Sequence, residues 1–313
     1  AINLAIKGAA SARRGKGNHI VTSAVEHPAV LNTCKALRAQ GYDVTYVKPD
    51  ATGIVSAGSV AGALRPETVL ISIMHANNET GTINPVREIG SIARERNVLF
   101  HIDAVQSFCK LPFTVDDLRV DLLSISAHKI HGPKGVGALY VREDITLHPQ
   151  IHGGRHEGNR RAGTENVAGI VGMGEAAQLC RPGLERDGNR VRALRDRLEQ
   201  GLRERVPGVT LNGHPDQRLP NTVNLSFENI EAQACILELD RRGVAVSSGS
   251  ACTSGSGKPS HVLLAMGIPC EVCRGSLRFS LGTYTTDEEI DYVLGIMPDV
   301  VLKLRAALPP AST

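Results

Sequence analysis

A chain of 313 residues with 42% hydrophobic and 21% charged residues is composed like an ordinary globular protein and is long enough for two packed domains. Its 35 basic and 32 acidic residues leave a net charge of +3, too balanced for a nucleic-acid or anionic-membrane surface; with no Trp, five Phe and five Tyr it lacks the stacking platforms of single-strand binders. No apolar run approaches the roughly 20 residues of a membrane span, no signal-peptide pattern is present, and seven cysteines without disulfide-like spacing read as reduced thiols of a cytosol-like compartment.

In chain order, short β-branched runs alternate with helical patterns, the rhythm of an α/β sheet with many parallel strands. Strands are predicted over His19–Val25, Tyr42–Val47, Thr68–His75, Val98–Asp103, Leu122–Ser126 and Val136–Val141. Pro28 opens a helix that stops at Gly41, and Pro85 opens one running to about Asn97. After the Gly- and Arg-rich stretch from Gly153 to Gly163 comes a helix-like segment, then the charged run Leu184–Arg205, read as a long helix with a solvated face. Pro220–Phe227, Val244–Ser247 and Ser276–Leu281 read as strands, and Ala232–Arg242 and Asp287–Ala307 as helices. The domain boundary is placed at Arg181-Pro182-Gly183, giving a large domain over 1–180 and a smaller C-terminal one over 181–313.

Two stretches carry the chemistry: Phe100-His-Ile-Asp-Ala-Val-Gln106 and Ser124-Ile-Ser-Ala-His-Lys-Ile-His-Gly-Pro-Lys-Gly135. In each, an ionisable group stands where a buried strand ends. Ligands of open α/β sheets bind outside the carboxyl ends of the strands, so Asp103, Gln106, Ser126, His128 and Lys129 are expected to converge on one crevice. A lone Asp and Lys there read as a rim ion pair; together with their neighbours they match a pyridoxal-phosphate (PLP) site, in which a lysine bonds the cofactor and a carboxylate holds its ring nitrogen. Cys34, Cys109, Cys180 and Cys235 read as small buried hydrophobes. Cys252 differs, because Ser247-Ser-Gly-Ser-Ala precedes it and Thr-Ser-Gly-Ser-Gly follows it. Such a stretch is expected to be exposed, as a reactive thiolate requires. Cys270-Glu-Val-Cys273 has no second ligand pair at zinc spacing, so no metal site is expected.

Those stretches, with Val25-Glu-His-Pro-Ala-Val30, His75-Ala-Asn-Asn-Glu-Thr-Gly81, Arg161-Ala-Gly-Thr-Glu-Asn166 and Ser248-Gly-Ser-Ala-Cys-Thr-Ser-Gly255, closely resemble the NifS/IscS cysteine desulfurases of the class V aminotransferase family, from Ala1 to about Leu304. The resemblance implies the PLP-dependent transferase fold type I, with a large, mostly parallel mixed sheet flanked by helices and a smaller α+β domain. It implies pyridoxal 5'-phosphate on Lys129, Asp103 at the ring nitrogen, His27 stacked on the ring, Asn78 and Gln106 near the phenolic oxygen, and Ser126 and His128 at the phosphate. Thr164 is implied to reach that phosphate from the second subunit of a homodimer. Arg278, with Asn78, is implied to bind the carboxylate of L-cysteine, and Cys252 to take its sulfur as a persulfide. The persulfide acceptor is an iron-sulfur scaffold or a sulfur-carrier protein, and the setting is cytoplasmic, or an organellar matrix if a transit peptide preceded the chain. Ala1-Ile-Asn-Leu-Ala-Ile-Lys-Gly8 resembles the helix that follows a Gly-Thr-Glu phosphate turn in that family, which marks the chain as truncated at its N-terminus. Selenocysteine lyase and a non-catalytic dimerising relative stay open as alternatives.

Overall fold

The computed structural model describes residues 1–248 and 259–307. The chain divides into two compact units, the first comprising Ala1–Asp50, Ile54–Asn77 and Ile83–Leu184, the second Ala51–Gly53, Asn78–Thr82 and Glu185–Thr313.

The first unit is built on β1 (His19–Ser23), β2 (Asp43–Val47), β3 (Thr68–Met74), β4 (Leu99–Asp103), β5 (Leu122–Ser126) and β6 (Gly137–Val141). They form one sheet in the order β2-β1-β3-β4-β5-β6. Every pair is parallel except β5 with β6, so the sheet is mixed and mostly parallel, as expected. Every residue of β1, β3 and β4 is buried, which is why these runs are mostly apolar or small without alternation, His19, His101 and Asp103 being the exceptions. The connecting helices are α1 (Ala9–Ala12), α2 (Pro28–Arg38), α3 (Ala57–Ala63), α4 (Val86–Glu95), α5 (Val115–Leu118) and α6 (Val167–Cys180). In α4, Val86, Ile89, Gly90 and Ala93 are buried, the spacing of one helix face. At Gly90 that face meets backbone so closely that a Cβ would lie 2.3 Å from the Leu118 carbonyl oxygen. One core layer packs Ile6, Ala9, Val30, Cys34 and Leu37 against Ile20, Leu70, Leu99 and Leu122 of the sheet.

The second unit comprises α7 (Leu184–Arg205), β7 (Val209–Asn212), β8 (Thr222–Phe227), α8 (Ala232–Asp240), β9 (Ser247–Ser248), α9 (His261–Ala265), α10 (Cys270–Arg274), β10 (Ser276–Ser280) and α11 (Asp287–Ala307). Its antiparallel sheet runs β7-β8-β10-β9. Leu194, Leu198 and Leu202 of α7 pack with Leu225, Phe227, Leu277 and Met297 in its core. The expectation of a solvated helix over Leu184–Arg205 is therefore corrected: its ends are as read, but one stripe is buried, because Val191, Leu194, Leu198 and Leu202 recur at helical spacing within a run dominated by charge. β7 and α3 were not read from sequence, and the Val244–Ser247 strand is displaced to Ser247–Ser248. Hydrogen bonds tie the Asn78–Thr82 segment into this unit, from Asn224 Nδ2 to the Glu79 carbonyl (3.1 Å) and from the Leu219 amide to the Gly81 carbonyl (2.9 Å). Among the described residues no helix is long and apolar enough to cross a membrane.

Candidate active site

Because β1, β3, β4 and β5 are parallel neighbours, the residues following each stand along one edge of the first unit's sheet. After β1 comes His27, half-buried, whose Nδ1 accepts the Ala29 amide (3.1 Å) as the N-cap of α2. That bond fixes the neutral ring with its proton on Nε2. At the end of β4, Asp103 is buried and its Oδ1 accepts the Val105 amide at 3.0 Å. Burial pushes its carboxyl up to about 6, and the hydrogen bond only partly offsets this. A carboxylate so placed favours a cationic partner. Gln106, half-buried, accepts Lys110 Nζ at its carbonyl (2.9 Å). After β5, Ser126 Oγ and His128 Nδ1 are 2.8 Å apart, a hydroxyl and an imidazole suited to an anionic group. Burial, then the charges of Lys129 and Lys134, hold the His128 ring below its ordinary value. Lys129 stands exposed in the following 3-10 turn, Ala127–Ile130. The sheet thus places His27, Asp103, Gln106, Ser126, His128 and Lys129 along a single edge.

Thr164 is exposed just before α6, whose N-cap Asn166 accepts the Gly169 amide at its Oδ1 (3.1 Å). Asn78 and Arg278 belong to the second unit and meet there: Arg278 Nη1 donates to the Asn78 carbonyl at 2.8 Å, and Nη2 to Ser247 Oγ at 3.3 Å. Asn78 Oδ1 is buried with no hydrogen-bond partner among the described residues, an acceptor suited to an incoming donor. Cys252 lies outside the described residues. Cys109 and Cys180 are half-buried, which corrects the expectation that both are core residues; Cys34 and Cys235 are buried as read.

Three residues of this chemistry escaped the sequence reading. Glu26, fully buried beside His27, accepts Ser23 Oγ (2.7 Å) and the Met74 amide (2.9 Å), joining the ends of β1 and β3. Burial, reinforced by Asp103 nearby, pushes its carboxyl up to about 8, so it is protonated at neutral pH. His101, buried in β4, meets Ser72 Oγ through Nδ1 (2.8 Å) and Ser124 Oγ through Nε2 (2.9 Å), stitching β3, β4 and β5 as a neutral ring that burial pushes down to about 3. Glu79, buried in the second unit, accepts Ser260 Oγ; burial pushes it up to about 7, although Ser260 and Arg278 oppose the shift. The signal for Glu26 was a charge inside the apolar run before Pro28; for His101 it was a polar residue within a strand with no alternation.

Residues 1–293 match the family Aminotransferase class-V. The chain is 51% identical over 307 residues to the cysteine desulfurase IscS of Dictyoglomus turgidum, covering 98% of this chain and 78% of that protein. It is 52% identical to the IscS of Methanosarcina thermophila, covering 98% and 76%. A solved NifS-like protein superposes with a TM-score of 0.90 at 38% identity, covering 97% of this chain and 80% of that one. The chain therefore belongs to the class V aminotransferase family, with its fold type I architecture, and within that family to the cysteine desulfurases.

Proposed function

We propose that this chain is a cysteine desulfurase that uses pyridoxal 5'-phosphate on Lys129 to convert L-cysteine and the Cys252 thiol into L-alanine and a Cys252 persulfide. The observation that carries the reading is the alignment of Asp103 and Lys129 at the ends of adjacent parallel strands, one a buried carboxylate and the other an exposed amine. The family is PLP-dependent, and the residues fit that cofactor: Asp103 suits a cationic ring nitrogen, Ser126 with His128 a phosphate, and the Asn78 Oδ1 acceptor a bound donor. When bound, the cofactor withdraws electrons from the substrate's Cα.

The remaining steps fall to the protein. Arg278 receives the substrate carboxylate through its guanidinium fork. The Lys129 amine takes the Cα proton as general base. His27, with its proton on Nε2, would lie against the cofactor ring and present a hydrogen-bond donor there. The Cys252 thiolate attacks the substrate sulfur, forming an S–S bond while the Cβ–S bond breaks, and protonation at Cβ, with return of the proton taken from Cα, completes alanine. We place the reaction in a cytoplasmic homodimer in which Thr164 reaches the neighbouring subunit's cofactor phosphate. The exposed Val167, Ile170, Val171 and Leu179 of α6, directly after Thr164, support the pairing. The acceptor of the persulfide is an iron-sulfur scaffold or sulfur-carrier protein.

The test is the visible absorbance of lysine-bound cofactor, followed by alanine formation from L-cysteine, with selenocysteine as a comparison substrate. Lys129→Ala is expected to lose both band and turnover; Cys252→Ala is expected to keep the band and lose sulfur transfer. Wild-type turnover in Lys129→Ala, or wild-type sulfur transfer in Cys252→Ala, overturns the assignment.

A further inference from the structure

Two cysteines that the proposed reaction does not use line the same cavity of the first unit. Cys109 lies in the turn after β4, three positions beyond Gln106, and Cys180 is the last residue of α6. Both line one cavity of about 580 Å³, walled by Phe108, Leu111, Pro112, Phe113, Ala177 and Leu184. The two thiols are near enough that Cys180 disfavours ionisation of Cys109. Cys109 adopts φ +58°, a left-handed backbone that costs a non-glycine residue energy and so demands local compensation. Each thiol is half-buried, within reach of a small molecule, whereas Cys34 and Cys235 are sealed in the cores.

We infer that Cys109 and Cys180 form a dithiol site that closes to an intramolecular disulfide by exchange with low-molecular-weight disulfides. In the first step one thiolate attacks the reagent, breaking its S–S bond and releasing one thiolate. In the second, the neighbouring cysteine attacks the mixed disulfide and displaces the other half. The pair loses two electrons and two protons, and one reagent disulfide becomes two thiols. Burial, and then the neighbouring thiol, push Cys109 up to about 12, so exchange is slow near neutral pH and quickens with alkali. The bridge would tie the turn that follows Asp103 and bears Gln106 to the end of α6. That helix also backs the turn after Lys129, where a side chain at Gly172 would run into Pro133, 2.7 Å away.

The experiment treats the full chain with excess hydroxyethyl disulfide, alkylates remaining thiols with N-ethylmaleimide and maps peptides under non-reducing conditions. The expected product is a peptide linking Cys109 to Cys180, absent in Cys180→Ser, and a thermal midpoint raised by about 3–6 °C in the wild type alone. Exposed Cys270 reports that the reagent was active, and buried Cys34 and Cys235 should stay reduced. Recovery of Cys109 and Cys180 as separate adducts or alkylated free thiols, while Cys270 has reacted, overturns the inference.

Discussion

The first unit and the Glu199–Arg218 corner of the second bury ionisable groups under opposite regimes, with Glu79 of the second unit following the first unit's rule. In the first, Glu26 and Asp103 are pushed up to about 8 and about 6, and His101 down to about 3, each toward its neutral form because burial is the largest influence on it. In the second, Arg218 and Glu199 are nearly as deeply buried yet stand as a direct ion pair, with Arg195 beside them donating to the Leu219 carbonyl (2.6 Å) and to Asp196. The contrast separates a site from a scaffold. Groups whose ionised form is penalised by desolvation respond strongly to an arriving charge, so the buried Asp103 carboxylate is poised to gain from a cationic ligand. Groups already neutralised by each other have no such capacity and serve to hold α7 against the segment before β8.

The sharpest way to break this contrast is to remove one partner of the scaffold pair. Glu199→Ala is expected to destabilise the second unit by about 3 kcal/mol, because it leaves the buried Arg218 guanidinium with only the longer 3.8 Å contact to Asp196. A double replacement, Glu199→Leu with Arg218→Met, is expected to recover most of the loss, since an apolar pair carries no desolvation penalty. Urea unfolding, read as a shift in midpoint at constant slope, measures both. If the single and double variants lose the same amount, the pair is not held as ions.

The first unit should answer to pH instead. The folded value of Glu26, about 8, lies above its ordinary 4.5, so its contribution is full below the ordinary value and is lost as pH rises through about 8. For His101 the sign reverses: a folded value of about 3 against 6.5 gives stability that is present above 6.5 and lost as pH falls through about 3. His75, pushed down to about 4, acts in the same direction. Asp103, pushed up to about 6, acts in the direction of Glu26, so the opposed slopes of the first unit balance near pH 5–6, where stability is expected to be greatest, declining on either side. Glu26→Gln keeps an acceptor for Ser23 and the Met74 amide without a titrating proton. It is expected to remove the alkaline decline, a gain on the order of 3 kcal/mol over wild type at pH 9. An unchanged alkaline limb in chemical unfolding of this variant would assign the decline to another group.

How far these residues could be read before folding follows from the same contrast. Asp103 and Lys129 announce themselves as charges ending apolar runs, and β5, α7 and α11 begin and end where periodicity places them. Glu26 and His101 do not, because their neutrality arises only when β1, β3, β4 and β5 become neighbours, an order set by tertiary packing. Asn78–Thr82 joins the second unit through Asn224, Leu219 and Arg278, contacts between segments far apart in the chain. β7 was missed because Val-Thr-Leu-Asn is too short and polar to stand out.

A smaller effect tests whether α6 is held by its own cap. Asn166→Ala removes the acceptor for the Gly169 amide and is expected to cost about 1 kcal/mol, mostly by fraying the first turn. The same substitution should leave the exchange at Cys180, at the far end of the helix, unaltered; amide hydrogen exchange across Val167–Ile170 locates the change.

The smallest expected effect defines the limit of the comparison. Arg197 of α7 meets both Asp287 and Asp291 of α11, the same chemistry as Glu199 with Arg218 on the same helix, but with more than two-fifths of every side chain exposed. In water the charges are already solvated, and holding three side chains in register opposes what attraction remains. Asp291→Asn is therefore expected to leave the unfolding midpoint unmoved at physiological salt. A loss comparable to that of Glu199→Ala would mean that pairing itself, regardless of burial, sets the strength of these contacts, and the division between a desolvated site and an ion-paired scaffold would have to be abandoned.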